Sequence, residues 1–279
     1  MYTWHQTINH IRQDSSYSQL VLDAYYDDPL IDAATRYQSS DEWSSIEKLI
    51  PSSGLALDVG AGRGIASFAL AKRGLSVTAL EPDRSNLVGT GAIASLNSHL
   101  DNPITIVSDR SELISHLHDN QFDLVFLRAA LHHCPDLVAS CSEFYRVLKP
   151  GGTLLCVREH VLSRKSHLAA FLATHPLHHF YGGENAYLLD EYTTAIKYSG
   201  FNLVKTLSPL ESPINYYPAS KIQIQAKVAS AISFKIPFLQ DFVSYLLSYK
   251  VCWHFFVKCF VLVDHRPGRL YSFLALKPH

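Results

Sequence analysis

A glycine-rich turn, Asp58-Val59-Gly60-Ala61-Gly62-Arg63-Gly64, follows a short apolar run and opens a helix-prone stretch. Glycines there let the backbone turn tightly and let a ligand approach without a Cβ in the way. The free N–H groups at the start of the following helix suit a carboxylate or a phosphate. The spacing is G-x-G-x-G, unlike the G-x-G-x-x-G of dinucleotide folds. Glu81 ends the next apolar run, in Ala79-Leu80-Glu81-Pro82-Asp83, where a carboxylate can accept both hydroxyls of a ribose. Asp109, followed by Arg110, stands after the third run, where a carboxylate can accept from the exocyclic amino group of an adenine. The fourth run leads straight into Arg128-Ala129-Ala130-Leu131-His132-His133.

Histidines offer proton transfer. An imidazole titrates near 6.5 and is suited to take a proton from an acceptor. His132 and His133 stand at the rim that the fourth run reaches; the alternative is that they are polar loop or packing residues. Arg158-Glu159-His160 ends the fifth run. Beyond it, His175, His178, His179, Tyr181, Glu184 and Asn185 gather around Gly182-Gly183. That composition reads as a binding loop above the same rim. It assigns His179 to proton transfer with His132 and His133, and His160, His178, Tyr181, Glu184 and Asn185 to the acceptor pocket. An H-x-x-H-H run with a nearby Glu could hold a cation. Without a helical H-E-x-x-H or a cysteine partner, the expectation is that no metal is bound.

These residues need a frame that brings run ends together. Apolar, β-branched segments at 55–59, 75–80, 104–107, 122–127 and 153–157 alternate with helix-prone segments at 63–73, 84–99, 111–118 and 136–148. Near-continuous apolar strands separated by helices predict a parallel sheet covered on both faces. Pro150-Gly151-Gly152 is the expected turn between a helix and the fifth strand. Residues 159–189 read as an irregular excursion, 190–199 as a helix, 201–207 and 271–276 as strands. All the clusters then sit at carboxyl ends of strands, where such sheets bind ligands.

The ordered series DVGAGRG, ALEPD, VSDRSEL, FDLVFLRAALHH and FYRVLKPGGTLL resembles the class I methyltransferase superfamily, nearest to its small-molecule, quinone-biosynthesis-like branch. The resemblance covers residues 50–158 strongly, and 190–208 and 270–277 weakly. It implies an α/β, doubly wound (Rossmann-like), mostly parallel seven-stranded sheet with the last strand antiparallel, and S-adenosylmethionine as cofactor. It places Asp58, Gly60 and Gly62 around the methionine moiety, Glu81 at the ribose, Asp109 and Arg110 at the adenine, and Arg128 and Ala129 near the sulfonium, and it counts Ala61 and Pro82 among the cofactor-binding residues. The N/D-P-P-Y/F tetrapeptide of many amino-group and nucleobase methylating enzymes is absent; Arg128-Ala129-Ala130-Leu131 stands there. The implied reaction is in-line methyl transfer to oxygen or nitrogen, ahead of carbon, of a small or lipid-like acceptor. The alternative is a non-catalytic scaffold or sensor that binds the same cofactor.

Composition narrows the partners. The formal net charge of -1 leaves no electrostatic footprint for nucleic acid. Five scattered cysteines form no disulfide framework. The first residues lack the apolar run of a signal peptide, so the expected setting is cytoplasmic. Residues 1–50 form a helical cap whose Tyr26, Arg36 or Trp43 could shield the cofactor. The core spans 51–208 and 269–279, with 159–189 as its acceptor-side insertion. Residues 209–268 form a helical insertion. Within it, Lys250, His254 and Lys258 share one helix face amid aromatic residues over 238–263. That segment is open to three readings: a lid, a homodimer surface, or a peripheral membrane contact.

Overall fold

The computed structural model describes residues 1–109, 114, 116–234 and 237–279. Eight strands form one sheet: β1 Gly54–Val59, β2 Leu75–Leu80, β3 Thr105–Val107, β4 Phe122–Arg128, β5 Leu148–Leu162, β6 Tyr187–Leu188, β7 Asn202–Leu207 and β8 Arg269–Leu276. Their order is β3-β2-β1-β4-β5-β8-β7, with the short β6 pairing the far end of β5. β8 runs antiparallel to β5 and β7, while the pairs from β3 across to β6 are parallel.

The apolar runs become buried strands because both faces are covered. On one face Ala56, Phe126 and Leu155 pack with the helix Ile65–Arg73 and the N-terminal helices. On the other, Leu57, Val125, Leu127 and Leu154 pack with Leu137–Val147 and Leu189–Tyr198. Strand order reverses between β1 and β4, which opens a crevice above their carboxyl ends.

The structure departs from the sequence expectations in three places. Lys149 to Gly152 do not separate a helix from a strand; β5 already begins at Leu148, and the Pro-Gly-Gly turn bulges out between the pairs Phe122–Leu148 and Leu124–Thr153. Residues 159–189 are more ordered than expected: β5 continues to Leu162, helices follow at Leu168–Thr174 and His178–Tyr181, and β6 adds an eighth strand. The helix expected over 84–99 is confined to Thr90–Leu96, with a further turn to His99. Half of the helix expected at 111–118, and Arg110, lie outside the described residues.

The cap consists of helices Trp4–Gln13, Ser18–Asp23, Leu30–Gln38 and Asp41–Ile46. Buried Arg63 fastens it to the glycine turn by donating to the carbonyls of Tyr25 (2.8 Å) and Asp27 (2.9 Å) and to Asp28 Oδ1 (2.6 Å). The late insertion forms helices Lys221–Ile232, Gln240–Ser248 and Lys250–Val263, with a small core of Ala229, Leu247, Trp253 and Val257. Among the described residues no single helix is long and apolar enough to cross a membrane. The last two of these helices reach that length and apolarity only together, and they meet at 103°.

Candidate active site

Above the carboxyl ends of β1, β2 and β4 lies a cleft of about 1110 Å³. Its walls include Asp58, Gly60, Ala61, Gly62, Glu81, Pro82, Asp109, Arg128 and Ala129, so nine residues assigned to the cofactor from sequence meet in one place. Gly60 and Gly62 have φ of 67° and 54°, a left-handed backbone that side chains rarely adopt. A Cβ on Gly60 would come 2.9 Å from that of Ala130, and one on Gly62 would project into open space. The turn is therefore a backbone cradle.

Glu81 directly follows β2 and its carboxylate is held from below. Its Oε2 accepts from the Gly62 N–H (2.7 Å) and its Oε1 from the Asp83 N–H (2.8 Å). Each oxygen keeps a lone pair for a ligand hydroxyl. Burial pushes the Glu81 pKa up, these two N–H groups pull it partly back, and it settles at about 7. Asp58 is buried beneath the turn and accepts from Ser67 Oγ (2.5 Å). Burial raises its pKa to about 6 against the pull of Ser67 and Arg128.

Arg128 is clamped by a residue that sequence reasoning missed. Its Nε and Nη2 donate to the two oxygens of fully buried Glu42, at 2.7 and 3.0 Å. Tyr25 and Tyr37 flank the guanidinium, with ring centres 5.5 and 5.2 Å away. Burial alone would lower the Arg128 pKa, but Glu42 outweighs it and keeps the charge in place. Arg158 approaches the same carboxylate, at 3.6 Å from Glu42 Oε2. Of the proposed cap residues, Tyr26 lines the cleft together with Trp4 and Tyr25. Trp43 is buried in the core, and Arg36 pairs with Asp27.

The acceptor-side residues divide. His133 and Tyr181 line the cleft. His133 donates Nδ1–H to the Gly183 carbonyl (3.1 Å), which leaves the Nε2 lone pair free. Desolvation, then the neighbouring His132, lowers its pKa. His132 lies behind the wall, with Nδ1 2.7 Å from Glu159 Oε2. Burial pulls its pKa down, but Glu159 and Glu184 outweigh this and raise it to about 9. His160 and Glu184 join His132 in the interior. His179 is exposed with its ring against Phe180, and His178 and Asn185 do not line the cleft. Glu42, Arg63, Arg158 and Glu159 carry the site's charge balance and were not assigned from sequence. The only sequence signals were the basic residue inside the glycine turn and the Arg-Glu-His triplet.

Residues 57–156 match the family model described as a methyltransferase domain. This stretch is similar in sequence to methyltransferase domains. Among curated proteins, the domain is 36% identical over 101 residues to a ubiquinone biosynthesis O-methyltransferase of Psychrobacter arcticus, which covers 36% of this chain and 38% of that protein. It is 31% identical over 103 residues to a ubiquinone/menaquinone biosynthesis C-methyltransferase of Nitrobacter hamburgensis, covering 36% and 40%. The match thus spans about two fifths of these relatives. Among solved structures, the YcgJ protein of Bacillus subtilis superposes with TM-score 0.53 at 15% identity, over 86% of this chain and 98% of that one. The cyclase SpnF superposes with TM-score 0.55 at 17% identity, over 88% and 82%. Both show the shared fold. A methyltransferase domain of this kind takes S-adenosylmethionine, and the backbone cradle with Glu81 beside it fits that group.

Proposed function

We propose that the chain transfers a methyl group from S-adenosylmethionine to an oxygen or nitrogen, ahead of carbon, of a small, lipid-like acceptor. The observation that carries this reading is the Glu81 carboxylate. It is anchored by two backbone N–H groups at the edge of a glycine cradle, and its remaining lone pairs face the cleft. The bound donor supplies a methyl already activated on a sulfonium, so the chain's task is alignment. Glu81 takes the ribose hydroxyls, Asp109 the adenine amino group, and the turn from Asp58 to Gly62 the methionine end. Trp4, Tyr25 and Tyr26 close the cleft from the cap side and exclude water.

On the opposite wall, His133 presents Nε2 as the base for an acceptor that keeps its proton at neutral pH. Its tautomer is set by the Gly183 carbonyl. The relatives' names concern quinone biosynthesis, and an apolar acceptor agrees with the surface of the late insertion. There Phe234 and Phe238 are each 82% exposed, and Val251, Phe255 and Leu262 lie open nearby. None of the described residues of that insertion lines the cleft. An exposed apolar set of this kind suits peripheral contact with the membrane that holds such an acceptor.

Two measurements test the proposal. Calorimetry with S-adenosylhomocysteine should give one site per chain, and methyl transfer should appear across a panel of prenylated phenols and amines. Donor binding without turnover on any acceptor would leave a non-catalytic binding protein; absence of binding to folded chain would end the reading. Vesicles should co-sediment the protein, and substituting Phe238→Ser with Phe255→Ser should reduce that binding.

A further inference from the structure

Behind the acceptor wall, side chains that the methyl-transfer reading leaves unused converge in the interior. His132 comes from the turn after β4, His160 from β5, and His175 and Glu184 from the excursion beyond β5. One ligand atom each from His132, His160 and Glu184 lie within 4.8 Å of one another. Glu184 Oε2 stands 3.6 Å from His132 Nε2 and 3.8 Å from His175 Nε2. The His132 side chain is 1% exposed and that of Glu184 6%. Glu184 Oε2 is fully buried and has no hydrogen-bond partner.

We propose that His132, His160 and Glu184, with His175 beside them, form a binding site for a divalent first-row transition metal ion such as zinc.

Three features carry the assignment. The first is spacing. A carboxylate that merely paired with a histidine would close to hydrogen-bond contact, as Glu159 does at 2.7 Å on the other nitrogen of His132. Glu184 Oε2 instead stands off from two ring nitrogens. Two donors bound to one tetrahedral ion at roughly 2.0–2.1 Å lie about 3.4 Å apart, close to what is seen.

The second is the outer support of His132. Its Nδ1–H points at Glu159, which leaves Nε2, facing Glu184, as the nitrogen that would exchange its proton for the ion. Metal-bound histidines are oriented by such a carboxylate. Glu159 is itself fixed by the N–H groups of Ala130, Leu131 and His132. The third is the donor set. Imidazole nitrogens with one carboxylate suit zinc, iron or nickel rather than magnesium or calcium. The charges of Glu159 and Glu184 would also balance a doubly charged ion.

Such an ion would tie the excursion to β4 and β5. Tyr181 hydrogen-bonds Glu184 Oε1, and both Tyr181 and Gly183 line the cleft, so the metal would shape the acceptor wall. Binding of the ion does not depend on methyl transfer.

The test uses the untagged full-length chain, stripped with a chelator and titrated with cobalt(II). The expected result is one tight equivalent with visible d–d bands, no thiolate charge-transfer band, and displacement by zinc. Glu184→Gln and His160→Gln should each weaken binding at least tenfold, and Glu159→Gln about 10–100-fold. His179→Gln, at an exposed position outside the cluster, should change nothing. No uptake by folded wild-type chain, a thiolate band, or wild-type affinity in both Glu184→Gln and His160→Gln would overturn the site. The wild-type spectrum decides even where a variant fails to fold.

Discussion

Lowering the pH across neutrality should weaken donor binding through Glu81. With a pKa of about 7 in the ligand-free chain, its carboxyl is about nine-tenths ionised at pH 8 and about one-tenth at pH 6. Ribose hydroxyls donate to the ionised form, whereas the protonated form offers a donor in place of one acceptor. Affinity for S-adenosylhomocysteine should therefore fall about tenfold from pH 8 to pH 6, or about 1.4 kcal/mol, with about half a proton released on binding at pH 7. The stability of the free chain runs the other way. The folded chain holds this proton above the ordinary value of 4.5, so the stability it confers is complete below that pH. That contribution, roughly 3 kcal/mol, is lost as the pH climbs to about 7.

Asp58, with its pKa of about 6, adds to the same trend at lower pH. Glu81→Gln separates the two. The variant should bind weakly at pH 8 and lose most of the slope between pH 8 and 6.5. The assay is calorimetry in two buffers of different ionisation enthalpy, which reads affinity and proton release together. A wild-type dissociation constant that stays level from pH 6 to 8, or an equal slope in Glu81→Gln, would refute the argument.

Three further outcomes follow from the charge network. Glu42→Gln strips the buried Arg128 guanidinium of its carboxylate and should cost about 3–5 kcal/mol, read as a lower urea midpoint at unchanged slope. Arg63→Met removes the donor to Tyr25, Asp27 and Asp28; proteolysis within the first 50 residues should accelerate, and affinity for S-adenosylhomocysteine should fall at least tenfold. His133→Asn should lower turnover about a hundredfold or more while leaving affinity for S-adenosylhomocysteine within about twofold.

The donor half of the cleft was readable because its residues act where the chain places them locally. Gly60, Gly62, Glu81, Asp109 and Arg128 each sit at or just past a strand end, and a parallel sheet brings strand ends together whatever the loops do. The cap and the acceptor half follow from distant pairings that no local pattern announces. Glu42 meets Arg128 across 86 positions, and His132 meets Glu159 across 27. His179 illustrates the limit. It shares the loop composition that suggested a binding role, but the short helix His178–Tyr181 leaves it exposed while His175 and Glu184 face inward.

The strand ends also explain how one rim serves two chemistries. Ala129 and Arg158 both adopt left-handed backbone, with φ of 51° and 60°, directly past paired residues of β4 and within β5. Such a conformation costs about 1–3 kcal/mol per residue and persists only where the surroundings require it. At Arg158 the pairing with β8 slips between Cys156 and Glu159. The slip sends Arg158 toward Glu42 and Glu159 toward His132. At Ala129 the chain leaves β4 so that Arg128 joins Glu42 on the cap side, while His132 turns inward. Two strained residues on neighbouring strands thus divide the buried charges. The two arginines gather around Glu42 under the donor cleft, and the histidines gather between two carboxylates behind the acceptor wall. Without the irregularity at Arg158, the plain alternation of a strand would place Arg158 and His160 on one face and Glu159 on the other. The two charge clusters could not then be kept apart.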